Sequence, residues 1–315
     1  MEEDISEEYD FTIRACAEKA FLDLAIHYKQ ITVQPLLAAL ESITSGQNND
    51  ILFKDSVYCA LGLAAPILEK NLDIDQLVRY ILVKEVGTRE TGYNIIRRRV
   101  AILLGSWAPM GYPVHTQNVV NKVFKCLLDK GDKLNDTVVR VTAGRQLKNV
   151  ADAFEFSNVE FHDEAHAILY ALMGLITEVD LTETKLALLN TLSVIIERMS
   201  ELMSPFAKSV FNLLPPIWKQ NPQDWVLKQT ILGIMTRLVN ALKGEHYQYR
   251  KMAYYVIDTI VAPGSEERFY LLEDALDLWH SCIINTPTGE QPRELIVVAK
   301  HLIPLLELGS DSLWK

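Results

Sequence analysis

The chain repeats the same charged helix start at nearly constant intervals. Four clean copies place a base four residues after an acid, at Asp10/Arg14, Asp50/Lys54, Asp136/Arg140 and Asp224/Lys228. Arg97 and Lys185 fill the two intervening positions, so successive bases lie 40, 43, 43, 45 and 43 residues apart. This period is typical of helical-hairpin solenoids of the HEAT and armadillo type. Such arrays offer an extended surface to a partner protein and seldom contain an active site.

The apolar residues indicate helices along the whole chain. Nearly every apolar segment has a 3.6-residue periodicity and is bounded by Pro, Gly, Asn or Asp, with almost no strand signal. We expect the second helices of the hairpins at 10–28, 50–69, 93–107, 136–151, 181–199, 223–242 and 266–283. We expect the first helices at 32–44, 73–86, 115–129, 159–177, 202–219, 245–261 and 291–308. The predicted fold is all-α, a right-handed α-solenoid superhelix of about seven HEAT repeats.

The predicted domain organisation is simple. Residues 1–8 are expected to form an acidic N-terminal tail, and residues 9–315 a single HEAT-repeat array. The array begins on a second helix and ends just after a first helix, and neither end resembles a polar capping repeat. We therefore expect the chain to be a segment of a longer array.

The charge of the chain restricts its partners. The formal net charge is −10, which repels nucleic acid and anionic membranes and attracts basic proteins. The first ten residues carry six acids and no base, which excludes a signal or mitochondrial presequence at this position. The longest uncharged run, 100–121, contains two prolines and two glycines and does not resemble a membrane span.

The repeated acids and bases suggest a structural role. On one exposed helix such a pair contributes only ~0.2–0.5 kcal/mol. In stacked repeats the same side chains can also reach the next helix, and a partly buried charge ladder would fix the register of one hairpin on another. Asp136 is in addition a plausible N-cap, because it directly precedes an apolar helical segment.

Several segments resemble one known family. They are IIRRRVAILLGSW (95–107), LNDTVVRVTAGRQLK (134–148), DAFEF (152–156), LLNTLSVIIERM (188–199), LLPPIWKQ (213–220), YLLEDALDLW (270–279) and PLLELGS (304–310). Together they resemble the importin-β superfamily of nuclear transport receptors (karyopherins), and within it the importin-eleven branch. The resemblance extends over most of residues 90–315. Before residue 90 only the helix pattern and the repeat period match.

The resemblance implies a receptor that shuttles between cytoplasm and nucleus through the nuclear pore. It implies first helices on a convex face and second helices on a concave face that binds cargo. It also implies that Ran-GTP binds mainly the amino-terminal repeats of the full-length receptor, and that Phe-Gly nucleoporins dock between outer helices. Because the chain matches a central to C-terminal part, we expect the principal Ran-binding arch to lie outside it.

Acids on the predicted second helices are the candidate cargo-facing residues. They are Asp152, Glu155, Glu183, Glu197, Asp224, Glu273, Asp274 and Asp277. Residues 266–315 hold nine acids against four bases, so this part of the chain would attract a basic cargo protein. The alternative is an ordinary solvated helix surface.

Three other clusters of residues can be interpreted either as structural or as functional. Arg97, Arg98 and Arg99 could contact a phosphate or an acidic partner, but we favour a structural charge ladder with stems over apolar groups. His162 and His166 share a helix face and could bind zinc, although no third ligand is evident. Four tyrosines of one first helix could form a nucleoporin slot: Tyr247, Tyr249, Tyr254 and Tyr255.

The leading hypothesis is therefore a binding protein without cofactors, metals or catalytic residues. Residues 163–166 have the sequence DEAH of a helicase box, but such a box requires a P-loop, and the chain has no Gly-Lys dipeptide that could belong to one. The chain also has no GxSxG, GxGxxG or CxxC motif. The alternative is a HEAT-repeat scaffold or adaptor for another protein complex, without dependence on Ran. A metal-dependent enzyme at His162 and His166 is the third possibility.

Overall fold

A computed structural model describes residues 12–287, 289, 296 and 298–301. The chain divides into two compact units, Met1–Leu175 and Ile176–Lys315. Asp10, the tail 1–8 and most of the first helix expected at 291–308 lie outside the described residues. The single array expected over 9–315 stays a prediction.

Unit 1 consists of antiparallel helix pairs. Its second helices are α1 (Ile13–His27), α3 (Ile51–Leu63), α7 (Tyr93–Trp107) and α9 (Thr137–Asp152), and a short helix α4 (Ala65–Leu68) follows α3. Its first helices are α2 (Lys29–Thr44), α8 (Val114–Leu128) and α10 (Asn158–Glu178). The remaining first helix, between α4 and α7, is a composite of α5 (Ile74–Gln76) and α6 (Val83–Gly87). The last three residues of α10 fall beyond the boundary of the unit.

Unit 2 repeats the same pattern. Its second helices are α11 (Thr182–Met199), α13 (Trp225–Leu242) and α15 (Arg268–Ile284), and its first helices are α12 (Ala207–Gln220) and α14 (Arg250–Val261). A short 3₁₀ segment, Ala299–His301, lies where the seventh first helix is expected. The prediction of an all-α fold built from helix pairs is confirmed, and the part of the chain that the structure describes contains no strand.

Within each unit the second helices form the more closely packed layer. In unit 1, α7 packs directly on α3 and α9, and in unit 2, α13 packs directly on α11 and α15. Direct contacts between successive first helices are sparser. Glycine permits the close crossing of α7 and α9, because a Cβ at Gly105 would collide with the side chain of Gln146. Trp107 is buried at the same layer and its indole N–H donates a hydrogen bond to the carbonyl of Leu61.

The first helices are less regular than the sequence predicts. The helix expected at 73–86 contains a π-helical turn at Leu77–Leu82, and the helix expected at 202–219 begins with a 3₁₀ segment at Ser200–Phe206. The second helix expected at 50–69 is also interrupted, after Leu63. Pro66 lies directly after this break, and proline has no N–H to continue a helical ladder.

Aspartates begin several second helices. The carboxylates of Asp50, Asp136 and Asp224 each accept a hydrogen bond from the backbone N–H three residues later, at distances of 2.9, 2.8 and 2.9 Å. Each cap satisfies one of the N–H groups that a helix start leaves without a partner, an effect of about 1 kcal/mol. Among the described residues no helix combines the length and the hydropathy that a membrane crossing requires.

Candidate functional site on the second-helix layer

Four bases of the repeated pattern are buried at the start of second helices, although they are charged. Their exposed fractions are 5% for Lys54, 1% for Arg97, 5% for Arg140 and 3% for Lys228. A buried charge is costly unless it is paired and hydrogen-bonded. We call these residues the ladder bases, and the bonds that three of them make connect one repeat with the next.

Lys54 of α3 bonds to groups of the following repeat. Its Nζ donates to Glu85 Oε1 at 2.9 Å and to the hydroxyl of Tyr93 at 3.0 Å. The hydroxyl of Tyr58 also donates to Glu85 Oε1, at 2.9 Å. Burial lowers the pKa of Lys54, but the hydrogen bonds and the charge of Glu85 outweigh it, so the pKa is raised and the amine stays protonated. The ion pair with Glu85 and the hydrogen bond to Tyr93 together connect α3 with both helices of the next hairpin.

Arg97 of α7 makes the corresponding connection with the loop before α9. Its Nη1 donates to Asp132 Oδ2 and to Asn135 Oδ1, each at 2.8 Å, and its Nη2 donates to the carbonyl of Val86 at 2.8 Å. Arg89 pairs with the same carboxylate. Burial raises the pKa of Asp132, but the bonds from Arg97, from a backbone N–H and from Arg89 outweigh it, so the pKa lies below its usual range.

Lys228 of α13 repeats the arrangement in unit 2 with different chemistry. Its Nζ donates to Glu267 Oε1 at 2.5 Å, directly before α15 begins. The same ammonium lies 4.9 Å from the ring of Trp218 and 5.0 Å from that of Trp225. Cation–π contacts of this kind stabilise a desolvated ammonium. Two aromatic rings therefore take the place of the hydroxyl that accompanies the carboxylate around Lys54.

The remaining ladder residues behave differently. Arg14 pairs with Glu18 on its own helix at 2.9 Å. Arg140 donates to the hydroxyl of Thr137 at 3.4 Å, and Lys185 is half-buried in the first turn of α11. Asp50, Asp136 and Asp224 of the repeated pattern cap their helices. The ion-pair partners of Lys54, Arg97 and Lys228 are Glu85, Asp132 and Glu267, which the sequence analysis did not identify. Their common signal is an acid in the last turn of a first helix or in the segment between it and the next second helix.

The candidate cargo-facing acids fall into one cluster and several separate positions. Glu273 and Asp277 are exposed on α15, and Asp274 lies half-buried between them. Desolvation raises the pKa of Asp274, and the charges of Asp277 and Glu273 act in the same direction, whereas a hydrogen bond from Gln229 opposes them. This α15 acid cluster is therefore a concentrated negative patch.

The other five candidate acids do not form one cluster but are distributed over three helices or their ends. Asp152 and Glu155 are exposed at and just after the end of α9, and Glu183 is exposed in the first turn of α11. Glu197 is paired with Arg237 at 2.9 Å, and Asp224 is the cap of α13. The cargo-facing role of all eight acids stays a prediction.

An apolar slot lies between two first helices of unit 2. It has a volume of about 300 Å³ and lies between α12 and α14, with Pro215, Trp218, Met252, Tyr255 and Val256 among its lining residues. Tyr255 is 74% exposed. Of the other predicted slot tyrosines, Tyr249 stacks on Phe211 and Tyr254 is buried, while the side chain of Tyr247 lies outside the described residues.

The residues considered for catalysis or zinc binding, the DEAH sequence and the two histidines at 162 and 166, lie on one helix, α10. The DEAH letters at 163–166 lie inside α10, where Glu164 pairs with Lys125 at 2.7 Å and His166 packs against Tyr170. Among the described residues, no group of three or more His, Cys, Asp or Glu side chains is arranged to hold a metal ion. The second-helix layer carries both paired charges, such as Lys54 with Glu85, and exposed charges, such as Glu273 and Asp277.

Comparison with known sequences gives consistent matches. A family model described as "Importin-11-like, TPR repeats" matches residues 229–315. Importin-11 of Mus musculus and of Homo sapiens are each 30% identical over 317 residues. The importin beta-like protein KAP120 of Saccharomyces cerevisiae is 27% identical over 326 residues. Each match covers 99% of this chain, but the chain spans only about a third of the length of these curated relatives, 32% of importin-11 and 31% of KAP120.

Solved structures show the same helical arrangement. The structure of Lph2, described as a bidirectional nuclear transport receptor of S. cerevisiae, superposes with a TM-score of 0.88 at 26% identity, over 98% of this chain and 32% of that one. A structure of Kap121p bound to Ste12p superposes with a TM-score of 0.68 at 16% identity, over 98% of this chain and 28% of that one, which supports the fold alone. The relatives that match over nearly the whole chain carry the names of importins and transport receptors, not of enzymes.

Proposed function

We propose that the chain belongs to the importin-β superfamily, in its importin-11-like branch, and is the part of a nuclear transport receptor that binds protein cargo. The receptor shuttles between cytoplasm and nucleus, and this segment carries out no covalent chemistry and needs no cofactor. The observation that carries the proposal is the α15 acid cluster on the second-helix layer of unit 2, in which Glu273 and Asp277 are exposed and Asp274 is half-buried. A patch of this sign attracts a basic cargo.

Salt-dependent binding to a basic protein tests the cargo proposal. We expect a basic ribosomal protein to bind the chain at about 50 mM salt and to bind at least about tenfold more weakly at about 300 mM, because screening weakens exposed charge pairs. The double variant E273Q/D277N is expected to lose about fivefold to tenfold in affinity. The matched control E41Q/D163N removes two exposed acids of first helices and should bind like the wild type. Binding that ignores both salt and E273Q/D277N would refute the acidic cargo surface.

The apolar slot between α12 and α14 supports a second contact of the same receptor. Its volume of about 300 Å³ is at the lower end of ligand pockets, which suits one or two aromatic side chains better than a folded domain. We propose that it takes the phenylalanine of a Phe-Gly nucleoporin repeat. Tyr255→Ser should weaken the binding of a Phe-Gly peptide about fivefold or more. Tyr80→Ser, at an exposed tyrosine of a first helix in unit 1, should leave it unchanged.

Dependence on Ran separates a transport receptor from a scaffold protein of the same fold. In the full-length protein we expect Ran-GTP, and not Ran-GDP, to release cargo that is bound to this segment. Release that requires no Ran, or cargo that stays bound in the presence of Ran-GTP, would favour the HEAT-repeat scaffold instead.

A further inference from the structure

A basic pocket interrupts the second-helix layer of unit 1. It has a volume of about 190 Å³ and is lined by residues of four successive second helices, α1, α3, α7 and α9. Four arginines line it: Arg14, Arg98, Arg99 and Arg145. Glu18 is the single acid among the described residues of the lining. The charge of this pocket is therefore opposite to the net charge of the chain, which is −10.

Of the four arginines, Arg14 and Arg99 form ion pairs with nearby acids, whereas Arg98 does not within the described part of the chain. Arg14 pairs with Glu18 at 2.9 Å, and Arg99 makes a bidentate pair with Asp55 at 2.6 and 3.1 Å. Arg98 has no ion-pair partner among the residues that the structure describes, and its Nε is buried without a hydrogen-bond acceptor. A guanidinium in this situation has donors left for an anion.

The helix geometry explains why three consecutive arginines have three different surroundings. Successive residues of an α-helix point about 100° apart. Arg97 therefore enters the inter-repeat ladder, Arg99 turns back to Asp55 of α3, and Arg98 faces the pocket. Only the first two are used by the packing of the repeats, which leaves Arg98 as the residue without a structural partner.

The shape of the cluster restricts the ligand. The pocket volume of about 190 Å³ accommodates one or two carboxylate side chains, so the backbone of a bound peptide would lie outside it, along the layer. A nucleic acid strand would meet the net negative charge of the chain. Acidic side chains of a peptide segment fit both the charge and the volume.

We propose that this pocket binds an acidic, Asp- and Glu-rich segment of a partner protein, with Arg98 as the residue that receives its carboxylate. Arginine forms charge-assisted, frequently bidentate bonds with carboxylates. The site is separate from the α15 acid cluster and selects a ligand of opposite charge. It does not rest on the proposed transport function, because it requires only the contacts of unit 1.

The experiment measures binding of a fluorescein-labelled acidic octapeptide to the complete chain by fluorescence anisotropy. Peptides with Gln and Asn in place of Glu and Asp, and a single-stranded oligonucleotide, are the comparison ligands. Arg98→Gln is expected to weaken binding of the acidic peptide about tenfold and Arg98→Glu still further, while Arg98→Lys should stay within about threefold of the wild type. Lys122→Gln, at an exposed base of the first helix α8, is the matched control and should have no effect.

The outcomes separate the proposal from its alternatives. Thermal unfolding checks that the Arg98 variants keep the stability of the wild type, since Arg98 makes no inter-repeat bond. Equal binding of the neutral peptide, unchanged affinity in Arg98→Glu, or binding of the oligonucleotide without the acidic peptide would each overturn the assignment. Loss of basic-cargo binding in E273Q/D277N with acidic-peptide binding intact would show that the two sites are independent.

Discussion

The second-helix layers of the two units are alike inside and opposite outside. In both, a buried base at the start of a second helix bonds to an acid of the following repeat: Lys54 to Glu85 in unit 1, and Lys228 to Glu267 in unit 2. On the surface, unit 1 has an arginine-lined pocket and unit 2 has the α15 acid cluster. The comparison teaches that the repeated charges connect successive repeats, whereas the charges outside the repeat make the exposed surfaces of the two units different.

The largest expected effect separates two neighbouring arginines. Arg97→Ala removes the donor to three acceptors and leaves Asp132 without its buried partner, so we expect a loss of about 3–5 kcal/mol in the free energy of unfolding. Arg98→Ala should cost less than about 1 kcal/mol, since it breaks no ion pair. Urea unfolding followed by circular dichroism compares them. Equal losses for the two variants would show that the ladder does not determine stability.

Two carboxyls should respond to pH in opposite directions. The pKa of Asp132 is lowered, so its stabilising effect is complete above the ordinary carboxyl range and is lost only as the pH falls below that range, through the lowered pKa of the folded state. The pKa of Asp274 is raised, so its ionised form opposes folding at neutral pH, and this penalty disappears as the pH falls towards the ordinary range.

The corresponding variants test these signs. At about pH 7, Asp132→Asn should lower the free energy of unfolding by about 1–3 kcal/mol, because it weakens charge-assisted hydrogen bonds, whereas Asp274→Asn should leave it equal or higher. The difference for Asp274→Asn should shrink as the pH falls towards about 4, and the difference for Asp132→Asn only as the pH falls below about 4. Melting temperatures across this range provide the measurement. A stabilising Asp132→Asn or a strongly destabilising Asp274→Asn would contradict the assigned directions.

The ladder base of unit 2 should be more tolerant than that of unit 1. Lys228→Met keeps an apolar chain between Trp218 and Trp225 and leaves Glu267, whose side chain is 20% exposed and can recruit water. We expect a cost of about 1–2 kcal/mol. Lys54→Met leaves a more deeply buried Glu85 and should cost about 3 kcal/mol or more. Hydrogen exchange of α13 and α15 against α3 and α7 localises each effect.

The smallest effect concerns an exposed ion pair of the same layer. Arg237 pairs with Glu197 at 2.9 Å, and the two side chains are 46% and 61% exposed. Arg237 also donates to the buried hydroxyl of Ser193, so the pair is tested from its other side. Glu197→Gln should change the free energy of unfolding by about 0–1 kcal/mol, and added salt should reduce even that difference. A loss comparable to that of Arg97→Ala would mean that exposed and buried pairs of this layer contribute equally.

The sequence predicts the regular features of this fold because they depend on local spacing. The 3.6-residue periodicity gives the helices, the repeat of about 43 residues gives the pairs, and Asp136 caps α9 as expected. The interrupted first helices were not predicted, since a π-turn such as Leu77–Leu82 has an apolar pattern hardly different from that of an α-helix.

The partners of the ladder bases depend on stacking and could not be read from spacing alone. A base and an acid four residues apart look like one exposed pair, yet Asp50 caps its helix and Lys54 bonds to Glu85, 31 residues later. For the same reason the three consecutive arginines looked like one cluster. The structure shows that Arg98 differs from Arg97 and Arg99, and no local pattern distinguishes them.

The ladder has a consequence for how such a protein can change its length. Lys54, Arg97 and Lys228 each find a counter-ion in the last turn of the following first helix or in the loop after it. Removal or duplication of a complete hairpin that lies between two such contacts therefore brings a base together with an equivalent acid. Such a hairpin can be gained or lost without leaving an orphaned charge in the interior, whereas an insertion of a few residues inside it would shift the base away from the acid.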